Sequence, residues 1–381
     1  MIPLSVPKLD GNEWKYIKEC LDTGWVSSVG KYVEKFEEAV AHYVGCKYGV
    51  ACVNGTSALH AAFVALDLKP NEEVVIPALT FVAPANAVRY CGAYPVFLDV
   101  ERNYWQLDPQ KLKDFLFKEC LYKNKRLINK HTNRALRGIT VVHLLGHPVD
   151  MDPILDLANR FGLWVIEDSA ESIGAIYKKR KVGTMGSMGC FSFNGNKVIT
   201  SGGGGMLTTN NSKLAEKVRY LTTQAKDDSV EYVHHQVGYN YRLTNIQAAL
   251  GLAQMEQLDQ YLKIKIKIAS RYTQGLKNIP GLRLPLQAPW AKSIWWLYTI
   301  LIDKKVFGQG SRELMKVLHT QGIQTRPLWH PLHRLQPFED SYAYEIIVAD
   351  YLSKEALSLP SSVGLTENDQ KLIIKTLRKK L

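Results

Sequence analysis

Short apolar segments alternate with amphipathic helical patterns along the first half of the chain. The apolar segments predict buried strands at 48–53, 73–77, 95–100, 138–145 and 163–168. Between them, apolar residues at helical spacing predict helices at 58–66, 81–90, 109–117 and 151–161. Strands that alternate with helices predict an α/β fold with a mainly parallel sheet, whose ligands bind beyond the carboxyl ends of the strands.

The pattern changes in the second half of the chain. A long helical pattern runs from residue 245 to about residue 271, and three prolines then interrupt regular structure before a predicted strand at 295–302. A helix is predicted at 312–320 and another at the C-terminus. We interpret the change as the passage from a large domain, residues 1–258, to a smaller C-terminal α+β domain, residues 259–381.

Polar residues follow two of the predicted strands, at the edge where ligands are expected. Gly55, Thr56 and Ser57 open a helix, where their N–H groups and hydroxyls can bind a phosphate or simply cap the helix. Asp168 ends another strand, where it either caps the next segment or pairs with a protonated ring nitrogen, such as the pyridinium of pyridoxal phosphate (PLP). The local pattern leaves both alternatives open at each position.

A single lysine, Lys197, lies between a polar turn at 194–196 and four glycines at 202–205. Burial of a lysine amine at a strand end favours the neutral, nucleophilic form that makes Schiff bases, whereas the commoner fate is a solvated loop lysine. The glycines lack the Lys-Ser/Thr ending of a P-loop. A phosphate-binding turn and a tight connection therefore remain alternatives for the run.

Composition narrows the class of protein. The chain has 381 residues, 46% hydrophobic and 22% charged, which is typical of a globular protein, and its formal net charge is +12. Much of the positive charge lies in the segment 118–137, which we interpret as a solvated insertion because no nucleic-acid motif surrounds it. The six cysteines show no metal-ligand spacing, so no metal site is expected. Neither a leader nor an apolar run of about 18 residues is seen, so we expect no membrane contact and a cytoplasmic location.

Six motifs in order resemble one family. They are N-G-T-S-A-L-H-A-A at 54–62, P-A-L-T-F-V-A-P-A-N-A-V at 77–88, H-L-L-G-H-P-V-D-M-D-P-I at 143–154, E-D-S-A-E-S-I-G-A at 167–175, G-C-F-S-F-N-G-N-K-V-I-T-S-G-G-G-G-M at 189–206 and G-Y-N-Y-R-L-T-N-I-Q-A-A at 238–249. Together they resemble the DegT/DnrJ family of PLP-dependent nucleotide-sugar aminotransferases of fold type I. The resemblance covers nearly the whole chain.

The resemblance implies roles for individual residues. Lys197 and Asp168 are the expected catalytic residues: the lysine carries PLP as a Schiff base and moves a proton, and the aspartate keeps the pyridinium nitrogen protonated. Phe81 is expected to stack on the ring, although a core role is nearly as well supported, and Glu171 to lie near the 3′-oxygen. The full set of expected cofactor contacts is Gly55, Thr56, Ser57, Phe81, Asp168, Glu171, Ser192, Asn194, Lys197 and Asn240.

The resemblance also implies the partners. Asn240 corresponds to a phosphate contact that the family supplies from a second subunit, which implies a homodimer with shared active sites. Expected ligands are L-glutamate, a nucleotide sugar and PLP, with pyridoxamine phosphate as the intermediate form. Candidate contacts of the sugar nucleotide, each of which is equally compatible with packing at an interface, are Trp25, Ser27, Val29, Trp329, His330 and His333.

Two departures from the family pattern bear on the assignment. The glycine run lacks the glutamate that the family usually has there, and Glu171 stands where a neutral residue is commoner. Both variants, together with the 24–30 loop, are similar to the branch that makes UDP-4-amino-4,6-dideoxy-N-acetylglucosamine for legionaminic acid-type sugars. The expected reaction is amination of a 4-keto-6-deoxy sugar on UDP in amino-sugar or polysaccharide biosynthesis. The alternatives are a sugar dehydratase on the same scaffold and a regulator that senses a sugar or cofactor without turnover.

Overall fold

The computed structural model describes residues 1–228 and 230–379. The strands in this part of the chain are β1 (Tyr48–Cys52), β2 (Glu73–Pro77), β3 (Tyr94–Leu98), β4 (Cys120–Lys123), β5 (Arg126–Asn129), β6 (Leu136–Val142), β7 (Trp164–Asp168), β8 (Ile176–Tyr177), β9 (Arg180–Lys181), β10 (Met188–Ser192), β11 (Gly205–Thr209), β12 (Leu282–Arg283), β13 (Ala291–Lys292), β14 (Tyr298–Ile302), β15 (Arg326–Pro327), β16 (Ala343–Tyr344) and β17 (Ala356–Leu359).

The α-helices of the same residues surround these strands. They are α1 (Glu13–Thr23), α2 (Lys31–Val44), α3 (Gly55–Ala65), α4 (Ala83–Tyr90), α5 (Pro109–Asp114), α6 (Met151–Phe161), α7 (Ser212–Thr222), α8 (Asn245–Leu276), α9 (Lys304–Phe307), α10 (Ser311–Thr320), α11 (Val348–Glu355) and α12 (Glu367–Arg378). A π-helical turn, Phe115–Glu119, continues α5, and short 3₁₀ turns lie at Leu144–Gly146, Leu332–Arg334 and Gln336–Phe338. None of the helices in the described ranges is long and apolar enough to cross a membrane.

An eight-stranded sheet forms the centre of the large part of the chain, in the order β1-β11-β10-β7-β6-β2-β3-β16. β11 pairs antiparallel with both β1 and β10, and the other pairings in this sheet are parallel. The predicted α/β class with a mainly parallel sheet is therefore confirmed. Because the register aligns Val142, Asp168 and Cys190 on β6, β7 and β10, the carboxyl ends of these strands lie side by side.

The C-terminal part contains a second, four-stranded antiparallel sheet, β12-β14-β17-β15. Its apolar core combines this sheet with the end of α8 and with α10 and α12. The α8 helix begins at a capping box formed by Thr244 and Gln247 and runs without a break through the predicted domain boundary at 258/259. The division into domains 1–258 and 259–381 stays a prediction, and its last two residues, 380 and 381, lie outside the described ranges.

Local structure differs from the sequence-based expectation in four places. The strand expected at 138–145 ends at Val142, because Leu145 has a left-handed φ of +56° and lies in a 3₁₀ turn. The glycine run leads into the unpredicted strand β11, because Gly205 already pairs with Ser192 and Cys52 in the sheet. The strand expected at 295–302 begins only at Tyr298, because Trp295 has a left-handed φ of +54°. Within the basic segment 118–137, β4 and β5 form a hairpin, while its end already belongs to the central strand β6.

Candidate functional site

A cavity of about 330 Å³ opens at the carboxyl ends of β7 and β10. This is the edge of the sheet where the sequence predicts a ligand. The predicted site residues that the structure brings together around the cavity are Gly55, Thr56, Phe81, Asp168, Glu171, Ser192, Asn194, Lys197 and Trp329. They come from five separate stretches of sequence, so the topology of the sheet is what assembles them.

The start of α3 forms one wall of the cavity. Asn54 has extended backbone angles, and its side-chain oxygen accepts a hydrogen bond of 2.8 Å from the N–H of Ser57, so Asn54 caps the helix. The N–H of Ser57 is thereby used, and Gly55 and Thr56 line the cavity in front of it. An added Cβ at Gly55 would lie 3.0 Å from the Cβ of Ser192, so this position admits little more than glycine.

The glycine run at 202–205 packs against the start of α3 on the side away from the cavity. Gly202 and Gly204 have φ angles of +79° and +81°, which only glycine adopts without strain. An added Cβ at Gly205 would lie 2.4 Å from the backbone oxygen of Asn54. The run is therefore a tight connection that lets the β10–β11 turn approach the start of α3, and it does not line the cavity in the described residues.

Lys197 lies on the turn that follows β10. Its backbone N–H donates to the oxygen of Asn194 at 3.0 Å, and its side chain is 14% exposed, so it is not the solvated loop lysine of the alternative interpretation. The amine lies 4.1 Å from the centroid of the Trp296 ring and 3.8 Å from Oε1 of Glu171. An aromatic face and a carboxylate therefore flank the amine at the cavity.

Glu171 carries a buried carboxylate beside that amine. Its Oε2 accepts a 2.8 Å hydrogen bond from the N–H of Leu145, a residue with a left-handed φ of +56°. Burial raises the pKa of Glu171 from 4.5 to about 7, and the charge of Lys197 and the Leu145 N–H offset only part of that effect. The carboxyl group is therefore poised to bind or release a proton near neutral pH.

Asp168 is the second buried carboxylate of the cavity. Burial raises the pKa of its carboxyl group, and a 3.0 Å hydrogen bond from the N–H of Ala170 together with the charge of Lys197 opposes this. Asp168 therefore caps the next segment through Ala170, as one interpretation of the sequence expected, and its carboxylate also lines the cavity. A cationic ligand atom would relieve the cost of burying this charge.

Glu167 anchors the strand end beneath the cavity. It is fully buried and accepts hydrogen bonds from the N–H groups of Gly183, Met185 and Gly186 and from Nε2 of His143. Burial alone would raise the pKa of Glu167, but the hydrogen bond from His143 and those from the backbone donors hold it below its ordinary value. Because the N–H of Val149 donates to Nδ1 of His143, Nε2 is the ring nitrogen that bears the proton.

Other predicted site residues lie away from this cavity. Asn240 and Val29 line a separate cleft of about 670 Å³ on the same chain. Ser27 accepts a backbone hydrogen bond from Asn245, and Trp25 is 56% exposed. In the C-terminal part, His330 is exposed and His333 lies 3.6 Å from Asp350, while neighbouring Trp329 reaches the cavity and contacts Phe81 edge to face.

Eight residues that line the cavity were not singled out from the sequence, and three of them, Asn54, Asn196 and Trp296, bear on the site. Asn54 could have been found, because it is a helix-capping residue type directly before Gly55. Asn196 was seen only as part of a turn. Trp296 lies 100 positions further along the chain and was placed in a strand, and no local signal connects it to Lys197.

The donor set of the cavity fits PLP. The start of α3 and the side chain of Ser192 form a concave surface at Gly55 that suits a phosphate. An added Cβ at Gly55 would occupy this space. Asp168 offers a carboxylate to a protonated ring nitrogen, and Lys197 offers the amine. No group of three or more potential metal ligands occurs among the described residues.

Comparisons with known proteins were made over the whole chain. Residues 7–378 match the family model described as "DegT/DnrJ/EryC1/StrS aminotransferase family". The chain is 42% identical to a GDP-perosamine synthase of Caulobacter vibrioides, over 99% of this chain and 97% of that protein. It is 38% identical to EpsN of Bacillus subtilis, a putative PLP-dependent aminotransferase, over 99% and 95%. A DegT DnrJ EryC1 StrS aminotransferase structure from Brucella abortus superposes with a TM-score of 0.88 at 28% identity, over 97% and 95% of the two chains.

Proposed function

The chain belongs to the DegT/DnrJ/EryC1/StrS aminotransferase family, and we propose that it transfers an amino group from L-glutamate to the 4-keto carbon of a nucleotide-linked 4-keto-6-deoxy sugar. It is a PLP-dependent aminotransferase. The observation that carries the proposed reaction is the amine of Lys197, which faces the cavity and lies 3.8 Å from the buried carboxylate of Glu171. In this pair the Lys197 amine is the base, and the Glu171 carboxyl group is an adjacent group that can bind or release a proton.

The residues of the cavity have separate tasks in this proposal. Gly55, Thr56 and Ser192 hold the phosphate, and Asp168 keeps the ring nitrogen protonated. Bound PLP supplies an electron sink that stabilises negative charge at the donor carbon. Lys197 would take the proton from the donor carbon in the first half-reaction and give a proton to C4 of the sugar in the second, and Glu171 would stabilise the ammonium form that Lys197 has while it carries each proton.

The nucleotide is the finer part of the proposal. The sequence favours UDP through its similarity to the branch that makes UDP-linked 4-amino sugars. The name of the 42% identical relative, a GDP-perosamine synthase, supports GDP instead. We therefore propose a nucleotide-linked 4-keto sugar as the substrate. The assay below distinguishes between UDP and GDP as the nucleotide.

A second copy of the chain completes the site in this proposal. The separate cleft that contains Asn240 also presents Arg219 and Arg242, which suits an anionic group. Beside it, the apolar side chains of Val29 and Trp25 are 62% and 56% exposed, which suits contact with a partner. A homodimer would cover this surface and bring the cleft to the cavity of the partner.

The absorbance spectrum of the purified protein with PLP tests the reaction. A lysine-linked chromophore should appear, shift when L-glutamate is added, and return when the correct 4-keto sugar on UDP, GDP or dTDP follows. Lys197→Ala should remove the chromophore, whereas Lys316→Ala, at an exposed lysine of α10, should not.

The alternatives predict different outcomes of the same assay. A regulator that only senses the cofactor would bind PLP but show no shift with glutamate or with any keto-sugar. A dehydratase would consume the keto-sugar without forming an amino sugar, which mass spectrometry of the product distinguishes. Either result would overturn the proposed transfer reaction.

A further inference from the structure

A lysine in the middle of α8 is buried without a carboxylate partner. Lys265 is 2% exposed, and its amine donates to the backbone oxygen of Trp296 at 2.7 Å and to the backbone oxygen of Ser361. Among the described residues, no carboxylate forms an ion pair with it. Burial lowers the pKa of Lys265 to about 7, so near neutral pH the amine is partly uncharged and two carbonyl partners suffice.

A buried lysine costs more free energy than a leucine or methionine of similar size. Its hydrogen bonds therefore indicate a role in fixing the segments that they bind. One of its two acceptors is Trp296, whose ring lies against the amine of Lys197. The other is Ser361, whose N–H donates to Leu4 in the N-terminal segment. The lysine thus connects α8 to two irregular segments, and one of them lines the cavity.

Trp296 is fixed at three atoms. Its backbone N–H donates to the oxygen of Leu145 at 3.0 Å, its backbone oxygen accepts from Lys265, and its indole N–H donates to the oxygen of Asn196 at 2.8 Å. The residue before it, Trp295, has a φ of +54°, which is costly for a bulky side chain and persists only where surrounding contacts hold it. The hydrogen bonds to Leu145 and from Lys265 both act on the residue directly after this strained position.

The indole contacts the reactive turn twice. Its N–H binds Asn196, the residue directly before Lys197, and its face lies 4.1 Å from the Lys197 amine. A shift of the Trp296 backbone would therefore move the turn and uncover the amine together. Holding a reacting group within a fraction of an ångström is the task of such supporting contacts.

We propose that Lys265 is a positioning residue for Lys197, and that it acts by fixing Trp296 against the Lys197 turn. The inference rests on Lys197 being the reactive amine of the proposed function. The competing explanation is that Lys265 only ties α8 to the segment around Ser361. In that case its loss would lower stability without changing the surroundings of Lys197.

The test measures the reactivity of Lys197 in the cofactor-free protein. Trinitrobenzenesulfonate labels lysine amines, and peptide mass spectrometry gives the rate at Lys197 relative to exposed Lys316 in the same sample. We expect Lys265→Met and Trp296→Ala each to raise this relative rate about fivefold, because local opening exposes the amine. Lys267→Met, at an exposed position of the same helix, should leave the rate unchanged.

A double variant decides whether Lys265 acts through Trp296. If it does, Lys265→Met combined with Trp296→Ala should label no faster than Trp296→Ala alone. Multiplying effects, or a lower unfolding midpoint of Lys265→Met with unchanged labelling, would overturn the proposal. If Lys265→Met does not fold, Lys265→Gln, which keeps two N–H donors on a shorter side chain, replaces it.

Trp296→Phe tests the other half of the argument with Lys265 intact. It removes the indole hydrogen bond to Asn196 and part of the aromatic face, and unchanged labelling of Lys197 would refute a positioning role for Trp296. Because labelling needs neither PLP nor sugar, failure of every keto-sugar in the activity assay would refute the proposed reaction without touching this inference.

Discussion

Replacement of Glu171 by glutamine should change how the stability of the cofactor-free protein depends on pH. The carboxyl group is buried, and burial raises its pKa from 4.5 to about 7 despite the opposing charge of Lys197. In Glu171→Gln the amide oxygen can still accept the hydrogen bond from Leu145, so the packing and that contact are retained. The variant removes the titration and, with the charge, the ion pair with Lys197.

The sign and size of the effect follow from the two pKa values. Because the folded protein holds the proton more tightly than the unfolded chain, this group's stabilising contribution is present below pH 4.5 and is lost as the pH rises to about 7. At about 1.4 kcal/mol per pH unit, the complete change is about 3 kcal/mol. Coupling to the nearby Lys197 amine makes this an upper limit.

Denaturant unfolding of the wild type and Glu171→Gln at pH 5 and pH 8, at one protein concentration, measures this. Relative to the variant, the wild type should lose up to about 2.5 kcal/mol of unfolding free energy between the two pH values. Glu339→Gln, at an exposed glutamate, should follow the wild type. If the wild type and Glu171→Gln show parallel pH dependence, the carboxyl group is not held protonated by burial and our account of the site is refuted.

Two further predictions concern the walls of the cavity. Gly205→Ala should lower the unfolding free energy by about 2 kcal/mol, because its Cβ would lie 2.4 Å from the oxygen of Asn54. Gly195→Ala is the control, because no atom lies within contact distance of its Cβ. Equal midpoints of the two variants in thermal unfolding would contradict the clash. Glu167→Gln should lower the unfolding free energy by about 3–5 kcal/mol in denaturant unfolding. Each carboxylate oxygen accepts two hydrogen bonds, one of the four from His143, whereas the amide nitrogen of glutamine can accept none. A loss below about 1 kcal/mol would contradict this and mean that the buried network rearranges.

Much of the cavity could be predicted because its residues follow strands whose order and direction are readable from the sequence. Gly55, Asp168 and Ser192 each lie at or just after the end of a strand, and the strands that carry them run in one direction in the central sheet. Local pattern thus predicted both the elements and the edge where the polar groups meet. The strand β11 was missed because glycine has low strand propensity, and its place is fixed by pairing on both sides.

What surrounds the amine depends on contacts that no local pattern records. The segment containing Trp296 has the β-branched and aromatic composition of a strand, and the left-handed φ at Trp295 that turns it out of that strand is disfavoured for its residue type. Three hydrogen bonds hold that conformation: the N–H of Trp295 donates to Ser293, and the residue that follows is bound by the oxygen of Leu145 and the amine of Lys265, both distant in sequence. A motif can therefore single out Lys197 as the lysine of the proposed reaction, while contacts from the C-terminal part of the chain hold its amine.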